Sequence, residues 1–308
     1  MFKIKHGVFL LGMSFLSFPS QAMIDDENIE SSQSSMRQRF PIRQEEENPR
    51  GRDNDHLLAP VAVRNNDFDE TSCYRIITRK LQNWSYQVLA ATIWDPIMSG
   101  FKPARIRAMD LLDLNQDDCI LLVGEGSGLD LEVLPELVAK EKVWALDYSS
   151  RMVAQAKLRA EAMEIPQENC IIGDAQKLPF DNEQFNKLFF PLSLGSIPNP
   201  MLALQEAERV LTPGGKIVIL EKLVDDGETI SYFRHVMNFF TKFIFADINR
   251  NLTHIMGIDS PLKIIHYESL RGKLDGYVAG MIAPYYRLAV LVRQEDYPDI
   301  EPCGAIIQ

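Results

Sequence analysis

An α/β chain built on a doubly wound, seven-stranded sheet, mostly parallel with its last strand antiparallel, is the fold class this sequence predicts. Three observations predict it. Cys119–Val123 is an apolar run fit for a strand buried on both faces, and it leads directly into Gly124-Glu125-Gly126-Ser127-Gly128. About 20 residues past the first glycine, a second apolar run, Val143–Leu146, ends in Asp147. Beyond it, apolar runs keep alternating with helical patterns, as the right-handed crossovers of a parallel sheet require.

Taken in order, the chain first shows the parts of a cleavable export signal over residues 1–22. Lys3 and Lys5 precede an apolar core from Val8 to Phe18, and Ser20-Gln21-Ala22 supplies small residues for cleavage. That core is shorter than the roughly 20 apolar residues that span a bilayer. An exported protein, periplasmic or secreted, is expected; a cytoplasmic or membrane-associated one is the alternative. Residues 23–70, with Ser31-Ser32-Gln33-Ser34-Ser35, Glu45-Glu46-Glu47 and no apolar period, read as a disordered acidic and polar linker. A folded domain is expected over 71–298, and a loose tail over 299–308.

Within the domain, Tyr74, Ile77, Leu81, Trp84, Val88 and Ile93 recur at roughly helical spacing. They predict one or two N-terminal helices that cap the ligand end of the sheet. Pro96, Gly100 and Pro103 punctuate, Ala104–Leu112 resumes a helix, and Asn115-Gln116-Asp117-Asp118 turns into the first strand. The apolar segment after Gly128 is read as helical, offering the N–H groups of its first turn. Ser149 or Ser150 caps a helix carrying Met152, Val153, Ala156 and Leu158. Cys170–Ile172 is a third strand, Lys187–Leu194 a fourth, and Met201–Leu211 a helix closed by Thr212-Pro213-Gly214-Gly215. Lys216–Leu220 is a fifth strand, Leu262–Tyr267 a sixth, and Tyr286–Val292 the antiparallel seventh.

The glycine turn and the acid define a chemistry. Glycines let backbone N–H groups approach a ligand, and an acid at the tip of the second strand accepts hydrogen bonds from ribose hydroxyls, so the ligand contains a nucleoside. The dinucleotide fingerprint needs glycine or alanine where this chain has Leu129, and no Gly-Lys-Ser/Thr follows the turn, so dinucleotides and Walker-type phosphate binding are the weaker readings. A net charge of −11, with no basic excess in the domain, argues against nucleic-acid partners. The four cysteines form no C-x-x-C pair, and no metal site is expected.

Four stretches in register carry a resemblance: Val123-Gly124-Glu125-Gly126-Ser127-Gly128-Leu129; Ala145-Leu146-Asp147-Tyr148-Ser149; Gly173-Asp174-Ala175 with Leu178-Pro179-Phe180; and Glu208-Arg209-Val210-Leu211-Thr212-Pro213-Gly214-Gly215. Over roughly residues 90–223 the chain resembles class I S-adenosylmethionine-dependent methyltransferases, which share a Rossmann-like sheet. The branch is that of bacterial phosphatidylethanolamine N-methyltransferases and ubiquinone/menaquinone C-methyltransferases. The resemblance implies S-adenosyl-L-methionine as cofactor. It puts Gly124, Gly126 and Gly128 under the methionine and ribose portions, Asp147 on the ribose with Tyr148 beside it, Asp174 on the adenine amino group, and the Ala175 N–H on the ring. Pro191 and Leu192 would border the methyl-transfer site.

Two positions depart from the family. Where it usually has an acid two residues before the first glycine, this chain has Leu122; Glu125 either compensates or points into solvent. Trp94-Asp95 replaces a Tyr-Asp pair at the lid, keeping an aromatic face for the sulfonium without a phenol hydroxyl. A sulfonium methyl is already electrophilic, so the protein mainly aligns the acceptor and excludes water. Asp95 and His235, or His254, are the candidates for taking a proton from an acceptor.

Substrate choice is expected after the fifth strand. From Tyr232 to Phe245, Phe233, Val236, Met237, Phe240 and Ile244 fall on one helical face, widened by Phe239 and Phe243. Core packing is one reading; a lipid or quinone groove, or peripheral membrane contact through Phe233, Phe239, Phe240 and Phe243, is the other. The sequence thus predicts methyl transfer to a small or lipid-like acceptor, a phospholipid amine or a quinone. Its alternative is an exported, non-catalytic binding protein that keeps the fold, because export separates a protein from a cytoplasmic cofactor.

Overall fold

The computed structural model describes residues 95–244, 246–270 and 285–299. The expected export signal, the linker, the helices of Tyr74–Ile93, Trp94, Phe245 and the tail from residue 300 lie outside the described residues, as do the side chains of Phe233, Phe243 and Ile244.

The chain enters through a single helical turn, α1 (Asp95–Met98), and a 3-10 turn at Ser99–Phe101, then forms α2 (Lys102–Leu112). Pro103 sits in the first turn of α2, where its missing N–H would have had no helical partner. Lys187 closes the other end of that helix, donating from Nζ to Leu112 O at 2.6 Å and Asp113 O at 3.0 Å. There follow β1 (Ile120–Val123), β2 (Val143–Asp147), α3 (Ser150–Ala162), β3 (Cys170–Ile172), β4 (Phe185–Pro191), α4 (Pro200–Val210) and β5 (Leu211–Lys222). The chain ends with α5 (Tyr232–Ile244), α6 (Leu252–Met256), β6 (Leu262–Ser269) and β7 (Tyr286–Arg293).

The seven strands run in the order β3-β2-β1-β4-β5-β7-β6. Pairing is parallel from β3 to β5, and β7 lies antiparallel between β5 and β6. Strand direction sorts the core into two layers, because successive residues face opposite sides. Leu121, Val123, Leu146, Leu188 and Phe190 pack with Ala203, Leu204 and Ala207 of α4 on one side. Ile120, Leu122, Ala145 and Phe189 pack with Ala104, Ala108 and Leu112 of α2 and with Val153 and Ala156 of α3 on the other. The predicted doubly wound sheet is the one observed, and β1 and β4 flank its switch point.

Several boundaries are corrected. No α-helix follows the glycine turn; the crossover to β2 holds only 3-10 turns, at Leu131–Val133 and Lys140–Lys142. Pro135 is the physical cause. It lacks an N–H and forces the preceding residue out of the helical region, and Leu134 is extended at φ −63°, ψ 134°. The fourth strand starts at Phe185 and stops at Pro191, because Leu192 turns left-handed at φ 58°. Thr212–Gly215 does not separate α4 from a strand but belongs to β5, with an irregular register against β4. Of the apolar residues that α3 carries, Leu158 is exposed while Met152, Val153 and Ala156 are buried.

Candidate active site

At the carboxyl ends of β1 to β4, on either side of the switch point, the sheet opens into a pocket. Its floor is the glycine turn. Gly124 and Glu125 donate their backbone N–H groups to Leu146 O at 2.7 and 3.1 Å, extending the β1–β2 pairing beyond the strands. Gly126 donates to Asp147 Oδ2 at 2.8 Å, and Ser149 donates to Oδ1 at 2.8 Å. Asp147 therefore braces the turn while lining the pocket. Burial pushes its carboxyl up to about 6, although hydrogen bonds from Ser149, Gly126 and Tyr148 pull the other way.

Two glycines of the turn do different things. Gly126 has φ +65°, and a Cβ built there meets nothing within 4 Å, so open space lies in front of it. Gly128 has φ +94°, and its Cβ would lie 2.9 Å from Ala156 Cα, so glycine there allows the turn to pack on α3. The start of α3 is secured by Ser149, whose Oγ accepts from Met152 N at 3.4 Å.

The far wall comes from β3 and β4. Gly173, Asp174, Ala175 and Tyr148 line the pocket together, as the sequence predicts. Asp174 Oδ1 already accepts from the Gln176 backbone and side-chain amides, both at 3.0 Å, which fixes the carboxylate at the rim. Pro191 and Leu192 also line the pocket. A left-handed leucine is unfavourable by about 1–2 kcal/mol, and such strain persists where surrounding structure holds it in place. Here the Leu192 N–H is held on Leu220 O at 2.8 Å.

Glu125 is not in solvent. It is 5% exposed and lines the pocket, with Oε1 accepting from Asp130 N at 3.0 Å. Burial pushes its carboxyl well above the ordinary range, and the neighbouring Asp130 adds to the rise. Asp130, fully buried, is ion-paired to Arg105 of α2, which is itself 5% exposed and lines the pocket. Sequence reading missed Arg105 and Asp130. The polar interruptions Arg105 in an apolar helix face and Asp130 between Leu129 and Leu131 were the signals available.

The three residues nominated for proton transfer sit elsewhere, His254 being exposed on α6 and outside the pocket lining. Asp95 Oδ1 accepts from Ser127 Oγ at 2.6 Å and Oδ2 from Arg159 Nη2 at 2.6 Å; it is a clamp on the glycine turn and does not line the pocket. Arg159 completes the clamp by donating to Ser127 O at 2.5 Å and Glu132 Oε1 at 2.8 Å. His235 is exposed on α5 and does not line the pocket either.

The α5 helix is the larger surprise. Its polar stripe faces the domain: Arg234 is buried and donates to Ile248 O at 2.7 Å, and Asn238 bonds Asp247 Oδ1 at 2.9 Å and Ile248 N at 2.8 Å. Four of its apolar residues face outward, Phe239 63% and Phe240 54% exposed beside Val236 and Met237. The core-packing reading of these four residues is overturned. Among the described residues, no helix is long and apolar enough to cross a membrane.

Known proteins match this geometry. The family described as "Methyltransferase domain" matches residues 121–219, from β1 into β5. The chain is 34% identical over 106 residues to the demethylmenaquinone methyltransferase of Bacillus mycoides (strain KBAB4), covering 33% of this chain and 45% of that protein. It is 31% identical over 147 residues to that of Bacillus cereus (strain ATCC 10987), covering 46% of this chain and 62% of the relative. The chain thus spans about half the length of the curated relatives it matches. Among solved structures, the methyltransferase in complex with the Haloferax volcanii Trm112 activator superposes with a TM-score of 0.53 at 20% identity, covering 68% of this chain and 97% of that one. Geranyl diphosphate C-methyltransferase from Streptomyces coelicolor A3(2), solved with S-adenosyl-L-homocysteine, superposes with a TM-score of 0.50 at 16% identity, covering 62% and 75%.

Residues 121–219 thus match a methyltransferase domain, on a fold shared with solved methyltransferases, and the switch-point pocket, glycine turn and strand-end acid fit the class I S-adenosylmethionine-dependent kind. Within that class its sequence is similar to the quinone methyltransferases, at the modest identities above.

Proposed function

We propose that this protein transfers a methyl group from S-adenosyl-L-methionine to a lipid-like acceptor, with a quinone ring favoured over a phospholipid amine. The observation that carries the reading is the pocket itself. Open space in front of Gly126, the Asp147 carboxylate beside it and the apolar side chains of Leu129, Met152 and Ile197 match a nucleoside with one polar end. The bound cofactor supplies an electrophilic methyl group. The protein's part is placement: Asp147 accepts from ribose hydroxyls, Ala175 offers its backbone N–H to the base, and Pro191 and Leu192 keep water from the transfer position.

Similarity to demethylmenaquinone methyltransferases favours the quinone, and the outward apolar face of α5 favours an acceptor delivered from a lipid phase. The test is to incubate the full chain with methyl-labelled cofactor and either demethylated menaquinone in detergent or phosphatidylethanolamine vesicles. Label in the quinone supports the reading, and label only in the phospholipid replaces the acceptor. Cofactor binding with label in neither points to a binding protein that keeps the fold. Export remains part of the proposal: residues 1–22 are removed, and mass spectrometry of the native N-terminus should find Met23, with intact Met1 in the cytoplasm refuting it.

A further inference from the structure

One wall of the pocket is a loop held from behind. Between the end of β4 at Pro191 and the start of α4 at Pro200 the chain is neither strand nor helix, yet Leu192, Ser193, Ser196, Ile197 and Pro198 line the pocket. Without a ladder, such a loop takes its place from bonds to its backbone. Ser193 Oγ donates to Val123 O at 2.6 Å, which fixes the near end on β1. Further along, Gly195 N donates to Glu221 Oε2 at 2.7 Å, Gly195 O accepts from Asp247 N at 2.9 Å, and Ile197 O accepts from Arg250 Nη2 at 2.7 Å. A Cβ on Gly195 would lie 3.2 Å from Asp247 O and 3.3 Å from Glu221 Cδ, so glycine admits both neighbours at close range. Neither Glu221 nor Arg250 lines the pocket. Glu221 is 3% exposed at the end of β5, and its other oxygen accepts from Lys222 N at 2.8 Å. Burial raises its carboxyl, and Arg250 is among the charges that oppose the rise. Desolvation lowers Arg250 in turn. Its Nε and Nη1 are buried without a partner, so Ile197 O is the guanidinium's sole hydrogen-bond partner among the described residues. A charge taken out of water for one neutral hydrogen bond adds little to stability; its effect is to place Ile197.

We propose that Glu221 and Arg250 are positioning residues for methyl transfer: by holding Gly195 N and Ile197 O they set the wall against which the acceptor meets the methyl group. The role rests on the pocket holding cofactor and acceptor together. The two side chains attract each other through space, yet each spends a hydrogen bond on the backbone of the same loop, so the wall is gripped from two sides. Arg250 is itself held in register, because the segment that carries it docks on α5 through Arg234 at Ile248 O and Asn238 at Ile248 N. A misplacement of about 1 Å can cost about a hundredfold in rate, so a loosened wall shows in turnover before it shows in binding of the nucleoside.

The full chain is assayed with methyl-labelled cofactor and demethylated menaquinone in detergent or phosphatidylethanolamine vesicles, whichever the wild type labels, beside calorimetry with 5′-methylthioadenosine. Arg250→Met and Glu221→Gln should each lower kcat about tenfold or more, with affinity for 5′-methylthioadenosine kept within about threefold. Arg250→Lys, which can still donate to Ile197 O, should bring kcat back to within about threefold of wild type. A methionine variant as active as wild type, a lysine variant no better than methionine, or losses of affinity that match the losses of kcat would overturn the role and leave the methyltransferase reading standing. A wild type that labels neither acceptor would overturn both. Should the charge-removing variants fail to fold, Gly195→Ala decides: it keeps both charged side chains and presses a methyl on Asp247 O and Glu221, so kcat should fall about fivefold or more, and an unchanged kcat refutes the role.

Discussion

Lowering the pH from 7 to 5 should weaken nucleoside binding through Asp147. Its oxygens already accept from Gly126 and Ser149 at 2.8 Å and also from the Tyr148 backbone, and the residue lines the pocket. Ribose hydroxyls donate, so they require the ionised carboxylate. With the carboxyl pushed up to about 6 by burial, the ionised fraction falls from roughly nine-tenths at pH 7 to roughly one-tenth at pH 5. Affinity for 5′-methylthioadenosine should then fall about tenfold, or about 1.4 kcal/mol. The fold responds with the opposite sign. A carboxyl whose folded value is raised above its unfolded one stabilises the fold below the ordinary carboxylate range, and that contribution is lost as the pH rises through about 6. Binding therefore strengthens over the interval in which this group's support of the fold fades. Calorimetry from pH 5 to 8, beside thermal melts without ligand, measures both trends. Asp147→Asn should bind weakly and without the slope. A flat wild-type profile, or an unchanged slope in the variant, would refute the assignment.

Other substitutions separate structural from ligand-facing roles. Gly126→Ala places a methyl in open space at φ +65°, so it should cost the fold about 1–2 kcal/mol yet reduce cofactor affinity tenfold or more, read by calorimetry against a melting curve. In Gly128→Ala the new methyl meets Ala156 Cα at 2.9 Å, and stability should fall further than for Gly126→Ala, seen as a lower melting temperature. The pair Phe239→Ser and Phe240→Ser should leave melting nearly unchanged, within about 0.5 kcal/mol for each exposed site, and should reduce sedimentation with phosphatidylcholine vesicles; unchanged sedimentation would remove α5 from any lipid contact.

The sheet was legible because strands buried on both faces read as uninterrupted apolar runs, and Asp147 because the spacing of a strand-crossover-strand unit is narrow. The crossover itself was misread. Leu129, Leu131, Val133 and Leu134 look like a helix to any rule based on period, and one proline two residues past the 3-10 turn decides otherwise. The orientation of α5 was left open for a related reason: period identifies an apolar face but cannot say which face docks. Arg234 and Asn238 dock it through hydrogen bonds to the loop at Asp247 and Ile248. The cluster under the glycine turn depends on a pair 25 residues apart, brought together only by the packing of α2 on the crossover.

The Arg159 clamp has a mechanical consequence. One guanidinium holds Asp95, Ser127 O and Glu132 at once, so it rivets the start of α1 to the loop that forms the pocket floor. Any displacement of Asp95 must pull on Ser127, whose hydroxyl is fastened to the same carboxylate. Loss of Arg159 would release Asp95, Ser127 and Glu132 together, freeing the start of α1 and the pocket floor from one another.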